Sequence, residues 1–281
     1  MPDLSSRLRG AASRLTGAER KVAQVVADDP HLVAFGTVSE LASATGTSGA
    51  TVVRLATKLG YDGWSALQGA VQAEMSRRLR PAAENIRTRG GSRDAAGALA
   101  SSVERVRATV AAADPAVLDA VVARLATRRT PVWIVAGDAA TGVVTQFATE
   151  LGMLRPAVHL VTGSPVAVAR QLAEVAEGDT FVAVDVARYD RWLLDAVELS
   201  RTRGAALVAV TDGPLSPLAR GATAVLVADA DGVGPFDDYV GVLALLGSLV
   251  AGVAARSRTA ATGSLDRIEA AWGETGALDA D

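Results

Sequence analysis

Residues 37–60, TVSELASATGTSGATVVRLATKLG, decide the fold of the amino-terminal part of the chain. Thr37 and Glu40 stand at the spacing of a capping box, which predicts the start of a first helix. Gly46 predicts the end of that helix, because glycine tolerates the left-handed conformation common after a helix carboxyl terminus. Ser48 is placed to cap a second helix. The stretch therefore predicts two short helices joined by a tight turn.

The second predicted helix separates its residues by chemistry along two faces. Apolar side chains recur at helical spacing on the face predicted to point inward: Val52, Leu55, Ala56 and Leu59. A hydroxyl, a forked cation and a long ammonium recur on the face predicted to point outward, where they can read base edges and bind phosphates. Backbone N–H groups at the helix start can also approach a phosphate. The predicted DNA-binding set is Thr47, Ser48, Gly49, Thr51, Arg54 and Lys58.

Composition and charge limit the classes of protein. The chain has 281 residues and 49% hydrophobic content, enough for one large domain or two ordinary ones, and against global disorder. It has no cysteine, which excludes disulfides and thiolate metal sites and favours a reducing, cytoplasmic compartment. Residues 1–80 carry a net charge of +3, whereas residues 81–281 carry −6. A basic head on an acidic body is typical of a protein that meets DNA at one end.

Several other functions are not supported by the sequence. The first fifteen residues lack the apolar core of a secretory signal. The longest apolar run, residues 240–255, is shorter than the ~20 residues of a membrane span, so we expect a buried helix and no membrane partner. His31 and His159 stand in different halves of the chain, so we expect no metal site. There is no GxxxxGK[ST] loop, and we expect no nucleotide hydrolysis and no cofactor.

The composition and residue spacing along the chain predict its division into domains. Thr16 and Glu19 form a second capping box, and the residues that follow keep helical spacing to about residue 80. A proline and the pair Gly90-Gly91 then predict a hinge. The predicted segments are a DNA-binding domain, a linker, an α/β domain and a tail, at residues 1–80, 81–97, 98–256 and 257–281.

Short continuous apolar runs alternate with helical stretches from residue 131 onward. Five runs are predicted to be buried strands: 132–136, 158–161, 180–184, 206–211 and 224–228. This alternation predicts a parallel sheet covered by helices on both faces. The fold class is therefore multi-domain, with an all-α helix-turn-helix domain followed by an α/β domain built on a five-stranded parallel sheet.

Ligands in such sheets bind beyond the carboxyl ends of the strands, which points to the loops at 137–142, 185–191 and 211–216. The polar or turn-forming residues of these loops are the predicted effector-binding set: Gly137, Asp138, Thr141, Asp185, Arg188, Tyr189, Arg191 and Ser216. Alternatives stay open for each loop. A tight strand-to-helix turn explains the first, a subunit interface explains the second, and serine before Pro217 is first of all a helix cap.

The quoted motifs resemble those of the RpiR family of bacterial transcription regulators. Residues 15–67 resemble that family's DNA-binding domain, including TVVR at 51–54 and LGYDGW at 59–64. The carboxyl-terminal half is similar to a sugar isomerase (SIS) domain in three short motifs: GD at 178–179, RGA at 203–205 and TDGPLSPLA at 211–219. The resemblance implies a domain that dimerises and senses a sugar phosphate or a related metabolite.

The loops depart from the family pattern at two positions. Relatives that bind sugar phosphates carry a serine after the first strand, where this chain has Ala140 beside Thr141. After the third strand, Asp185 stands where a phosphate-binding serine is expected. A carboxylate repels a phosphate dianion unless a cation intervenes, and Arg188 and Arg191 are the candidate cations.

The sequence therefore predicts a DNA-binding transcription regulator rather than an enzyme. We expect a homodimer or homotetramer that binds a palindromic operator, with half-sites about 34 Å apart or a multiple of that spacing. One alternative is an isomerase-type enzyme, for which Asp138 and Asp185 are the carboxylates available as a base. Another is a regulator whose SIS-like domain dimerises and binds no ligand.

Overall fold

The structure, a computed structural model, describes residues 7–8, 11, 14–79, 81–88, 95–213 and 216–278. The chain separates into two compact units. The first comprises residues 1–90 together with 213–220, and the second comprises 91–212 and 221–281. A short helix lies inside the segment predicted to be a linker, and the Gly90-Gly91 pair of that segment lies outside the described residues.

The first unit is helical, as the spacing of its apolar residues predicts. Its helices are α1 (Gly17–Asp28), α2 (Pro30–Phe35), α3 (Val38–Thr45), α4 (Gly49–Lys58), α5 (Trp64–Leu79) and α6 (Ala82–Thr88). Both predicted capping boxes are present, at the starts of α1 and α3. Gly46 ends α3 with φ of 61°, the left-handed conformation that glycine adopts without a steric penalty.

The core of the first unit is assembled around α4. Helix α1 packs against α3 and α4, and α5 packs against α2 and α4. The predicted apolar face of α4 is confirmed, because its four side chains are all buried: Val52, Leu55, Ala56 and Leu59. Trp64, at the start of α5, joins the same core.

The second unit contains seven helices and five strands among the residues described. The helices are α7 (Ala95–Ala112), α8 (Pro115–Ala126), α9 (Thr141–Leu154), α10 (Pro165–Leu172), α11 (Arg191–Thr202), α12 (Val240–Arg256) and α13 (Arg258–Thr275). The strands are β1 (Val132–Ala136), β2 (Val158–Leu160), β3 (Thr180–Val184), β4 (Ala206–Thr211) and β5 (Ala224–Val227). The five strand predictions are confirmed to within one residue at each end.

The strands form one parallel sheet in the order β2-β1-β3-β4-β5. Helices α8, α9, α12 and α13 bury their apolar residues against one face of the sheet. Helix α11 packs on β3 and β4, and α10 packs against α11. The chain crosses to the opposite side of β1 after β2, so the switch point of this topology lies between β1 and β3. Ligands of such sheets bind at that point, beyond the carboxyl ends of the two strands.

A buried arginine positions the amino-terminal end of β1. Arg155 is 2% exposed, and its guanidinium donates to the carbonyls of Leu125, Arg128, Thr130 and Pro156. The first three of these carbonyls end α8 and form the turn before β1, where unpaired carbonyls would otherwise be buried. Burial lowers the pKa of Arg155, and the positive charge of Arg128 lowers it further.

The long apolar run folds as a core helix, as predicted. The inward face of α12 is buried against the sheet and α9. Within the described ranges, no single helix is both long and apolar enough to cross a membrane. Helices α12 and α13 pass that test only as a pair, and they are bent by 105° relative to each other.

Candidate functional site

The turn between α3 and α4 is held by its own hydroxyl groups. The Thr45 hydroxyl donates to the carbonyl of Leu41 at 2.8 Å and lies 2.7 Å from the hydroxyl of Thr47. Ser48 caps α4 as predicted, because its Oγ accepts the backbone N–H of Thr51 at 3.3 Å. The predicted helix-turn-helix therefore has a turn whose polar groups bond internally and leave the start of α4 at the surface.

The exposed face of α4 differs from the predicted one. Its exposed side chains are Ala50, Val53, Arg54, Thr57 and Lys58. Val53 is an apolar residue with 40% exposure. Sequence reasoning missed Ala50, Val53 and Thr57, although their i, i+3 and i+7 spacing places them opposite the apolar stripe.

The placement of Thr51 on the outward face is wrong. Thr51 is only 5% exposed. Its Oγ1 lies 3.0 Å from the hydroxyl of Ser48 and accepts a hydrogen bond from Nη2 of Arg54 at 3.1 Å. A buried hydroxyl needs hydrogen-bond partners, and the Thr51 hydroxyl has them in Ser48 and Arg54. Arg54 itself is exposed, as predicted.

Lys58 is exposed on α4, as predicted, and it is also paired within the unit. Its Nζ donates to Oε2 of Glu19 at 2.7 Å and to the carbonyl of Arg14 at 3.2 Å. The Glu19 side chain is 3% exposed, and it also accepts the backbone N–H and the hydroxyl of Thr16. The hydrogen bond from Lys58 and that from the Thr16 N–H lower the pKa of Glu19 from about 4.5 to about 2. Lys58 therefore ties the end of α4 to the start of α1.

The loops after β1 and β3 meet at the carboxyl edge of the sheet. Asp185 follows β3 and is 2% exposed. Its carboxylate accepts the N–H of Val186 at 2.9 Å and the N–H of Asp190 at 3.2 Å. It lies so close to Gly137 that a Cβ there would stand 2.4 Å from Oδ2. Glycine at this position is therefore explained by the space that the carboxylate needs.

A second carboxylate joins the same two loops. Oδ2 of Asp190 accepts the backbone N–H of Asp138 at 2.8 Å. Asp190 precedes α11, but its side chain does not cap that helix, and Ala140 gives α9 no side-chain cap either. A 3-10 turn (Asp138–Ala140) runs into α9, and the first N–H of that turn is the one already bonded to Asp190. Helix α11 begins at this edge without a side-chain cap, and a helix amino terminus of that kind favours a bound anion.

Charges at this edge are distributed differently from the prediction. Asp185 lies beneath the loop rather than on its surface, and burial raises its pKa to about 7. The N–H groups of Asp190 and Val186 oppose this rise, and the charges of Asp190 and Asp212 add to it. Arg188 and Arg191 are exposed, and neither makes an ion pair within the described ranges. The surface of the loop therefore presents cations above a buried carboxylate.

The other predicted effector residues have identified local partners. Tyr189 donates its hydroxyl to the Asp212 carboxylate, and the same hydroxyl lies 3.0 Å from that of Thr211. Thr141 is exposed at the start of α9 and donates to the Gly137 carbonyl at 3.2 Å. Ser216 accepts the N–H of Leu218 at 3.1 Å and caps a short 3-10 helix, as its position before a proline predicts.

Two domain families match the two units. The helix-turn-helix domain of the rpiR family matches residues 3–78, and the SIS domain matches residues 134–251. A DNA-binding head of this type and a doubly wound sheet of this type define a helix-turn-helix transcription regulator with a SIS domain.

Similar proteins match both units or the second unit alone. The HTH-type transcriptional regulator HexR of Pseudomonas aeruginosa is 25% identical over 266 residues, which cover 91% of this chain and 90% of HexR. The sugar isomerase domain of an RpiR transcription factor from Sphaerobacter thermophilus is 27% identical, with a TM-score of 0.58, and the match covers 62% of this chain and 97% of that one. The Vibrio vulnificus NanR protein, solved in complex with ManNAc-6P, has the same fold (24% identity, TM-score 0.53, covering 96% of this chain and 98% of NanR). The chain belongs to the RpiR family.

Replacing Lys58 with methionine is expected to loosen the first unit. The change leaves the buried Glu19 carboxylate without its cation, and it should lower the opening free energy of α1 and α4 by about 1–2 kcal/mol, the lower range for a charged hydrogen bond that is partly exposed to water. Hydrogen exchange of the full chain, read on peptides from α1 and α4, measures the change. Lys21→Met is the matched control, because Lys21 is exposed on α1.

The same measurement has a defined pH dependence. The folded pKa of Glu19 is lowered, so its stabilising contribution is present above about pH 4.5 and is lost as the pH falls toward 2. Without the Lys58 hydrogen bond, the folded pKa of Glu19 rises toward 4.5, so the stability lost between pH 4.5 and 2 should be smaller in Lys58→Met than in the wild type. Equal opening free energies for Lys58→Met and the wild type would refute the structural role of Lys58.

Proposed function

We propose that this RpiR-family regulator binds a two-fold symmetric operator as a dimer, acting in the cytoplasm, and that its SIS domain senses a sugar phosphate. The observation that carries the DNA-binding part is the exposed face of α4, where Arg54 stands among the small or short side chains of Ala50, Val53 and Thr57. Small neighbours let a helix approach base edges closely, and an apolar side chain can contact the methyl group of thymine. Ser48 and Gly49 lie at the start of α4, where backbone N–H groups can approach a phosphate.

The dimer is supported by the polarity of α7. Three polar residues of this helix bond inward: Ser102 donates to Asp238 at 2.6 Å, Arg105 donates to Asp229 at 3.2 Å, and Thr109 accepts the N–H of Asp229 at 3.0 Å. An apolar stripe with alternating spacings of four and three is exposed at Leu99, Val103 and Val110 and half-buried at Val106, next to the exposed pair Glu104–Arg107. Their exposures reach 71% at Leu99 and 68% at Val110. This spacing is the one with which helices pair, and a second copy of α7 is the occupant we propose.

The effector is supported by the edge of the sheet between β1 and β3. The start of α11, which has no side-chain cap, favours an anion, and Arg188 and Arg191 can hold phosphate oxygens bidentately. Asp185, the carboxylate that would repel a phosphate, is buried beneath the loop. The similar NanR protein was solved with ManNAc-6P, which is consistent with a sugar phosphate here.

We propose no catalysis at this edge. Both oxygens of Asp185 accept backbone N–H groups, and the residue is 2% exposed, so its carboxylate has no free approach to a substrate proton. A general base must come within hydrogen-bond reach of the proton it removes, whatever its pKa. The raised pKa of Asp185 is explained by burial.

Arg54→Ala is expected to weaken specific DNA binding. The full-length protein first selects duplexes from a random pool, and its affinity for the selected duplex is then measured by gel shift at fixed salt. Loss of a base-reading arginine should reduce this affinity by roughly ten- to a hundredfold. Arg129→Ala, which removes an exposed arginine of the second unit, should leave the affinity unchanged. If the wild type enriches no duplex, or if Arg54→Ala binds as tightly as the wild type, the proposed role fails.

Val103→Glu is expected to convert the dimer to a monomer, because it places a charge in the centre of the outward stripe of α7. Sedimentation velocity of the full-length protein measures the mass. Val166→Glu introduces the same change at a site with 79% exposure on α10 and should leave the mass unchanged. A dimer that persists in Val103→Glu would exclude α7 as its interface.

A sugar phosphate is expected to raise the thermal midpoint of the full-length protein. At about 100 times the dissociation constant, a ligand of the native state adds about 2.7 kcal/mol of stability. ManNAc-6P and hexose 6-phosphates are compared with the corresponding unphosphorylated sugars, and the sugars are assayed for conversion. Arg188→Ala and Arg191→Ala should reduce the shift, whereas Arg170→Ala should not. No shift with any phosphorylated sugar would favour the dimerisation-only alternative, and turnover would favour the isomerase.

A further inference from the structure

A chain of hydrogen bonds runs along the start of α4 from its cap to Arg54. The Ser48 hydroxyl accepts the N–H of Thr51 at 3.3 Å and lies 3.0 Å from the Thr51 hydroxyl. The Thr51 hydroxyl in turn accepts from Nη2 of Arg54 at 3.1 Å. Three successive turn positions of the helix, at i, i+3 and i+6, are thus linked through their side chains.

The link restricts Arg54 while leaving most of its donors available. An arginine has five N–H donors, and the bond to Thr51 uses one of them. In the described part of the chain Arg54 makes no ion pair, so no carboxylate competes with DNA for the remaining donors. A side chain held by one nitrogen loses less rotamer entropy when it binds than a free one does. The structure therefore presents a preformed donor fork at the surface of α4.

Thr51 has no surface of its own with which to contact DNA. It is 5% exposed, and its hydroxyl is bonded on both sides by Ser48 and Arg54. Valine has nearly the same shape and lacks the hydroxyl, so it can occupy this buried position without a void. The cap of α4 does not depend on the Thr51 hydroxyl, because it is the backbone N–H of Thr51 that bonds to Ser48.

We propose that Thr51 is a positioning residue that orients Arg54 to read a guanine in each operator half-site. Arginine donates two parallel hydrogen bonds to O6 and N7 of guanine, and this pairing requires the planar fork to lie at a defined angle in the major groove. The Thr51 hydroxyl holds that angle through Nη2. The inference rests on the proposed function, because it presumes that α4 enters DNA.

The test compares the base preferences of full-length variants. The wild type, Thr51→Val and Thr51→Ser each select duplexes from the same random pool, and their affinities are then measured on the wild-type consensus and on every single-base variant of it. Thr51→Val should lose a G·C preference at one position in each half-site by roughly three- to tenfold, within the range that one base contact supplies. Thr51→Ser keeps the hydroxyl and should keep the preference. Thermal midpoints of all variants confirm that they are folded.

A double-mutant cycle separates positioning from structure. If Thr51 acts through Arg54, Thr51→Val should have no further effect on affinity in an Arg54→Ala background. An unchanged preference in Thr51→Val would overturn the proposal, as would an equal loss of affinity for all duplexes or a loss that persists without Arg54. If the wild type selects no consensus at all, the proposed DNA-binding function fails before the role of Thr51 is reached.

Discussion

A buried charged or hydroxyl group must find a hydrogen-bond partner, and this constraint organises both units of the protein. Glu19, Thr51, Arg155 and Asp185 are all at least nine-tenths buried. Thr51 is bonded within α4, and each of the other three is bonded to groups that fix a junction between elements. Glu19 joins α1 to α4, and Arg155 joins the end of α8 to the start of β1. Asp185 lies beneath the loop after β3, against the loop after β1. The polar groups exposed on each surface are those that do not bond to these buried side chains.

The DNA-binding surface illustrates this. Lys58 is paired with Glu19, and Thr51 is buried beneath Arg54. Of the three polar side chains predicted on the outward face of α4, Arg54 is therefore the main one available for contact. That one contact is held in place by the neighbours that left the surface. A rigid, preoriented group loses little entropy on binding and discriminates its partner by geometry. The exposed face of α4 therefore presents few polar side chains, and Arg54 is held in its orientation by the Thr51 hydroxyl.

At the carboxyl edge of the sheet, the charged groups with internal partners are carboxylates, and the exposed charged groups are cations. Gly137 has no side chain, which leaves room for the carboxylate of Asp185, and Asp190 bonds the backbone of Asp138 instead of capping α11. Two aspartates thus bond backbone groups inside the unit, while Arg188 and Arg191 stay exposed at the same edge. The sugar phosphate proposed above as the ligand rests on these exposed arginines, because Ala140 and Asp185 stand here at the two positions where a serine was expected.

The sequence by itself determined the elements of this protein, because caps, glycine stops and apolar periodicity are local properties of the chain. The two capping boxes, the left-handed Gly46, the buried stripe of α4 and the five parallel strands could all be predicted from such signals. Only the tertiary structure decided what Thr51, Lys58 and Asp185 do. Their partners lie either on another element, as Glu19 lies 39 positions from Lys58, or at a burial depth that helical spacing does not specify. Spacing tells which residues share a face, but burial and pairing depend on what packs against that face.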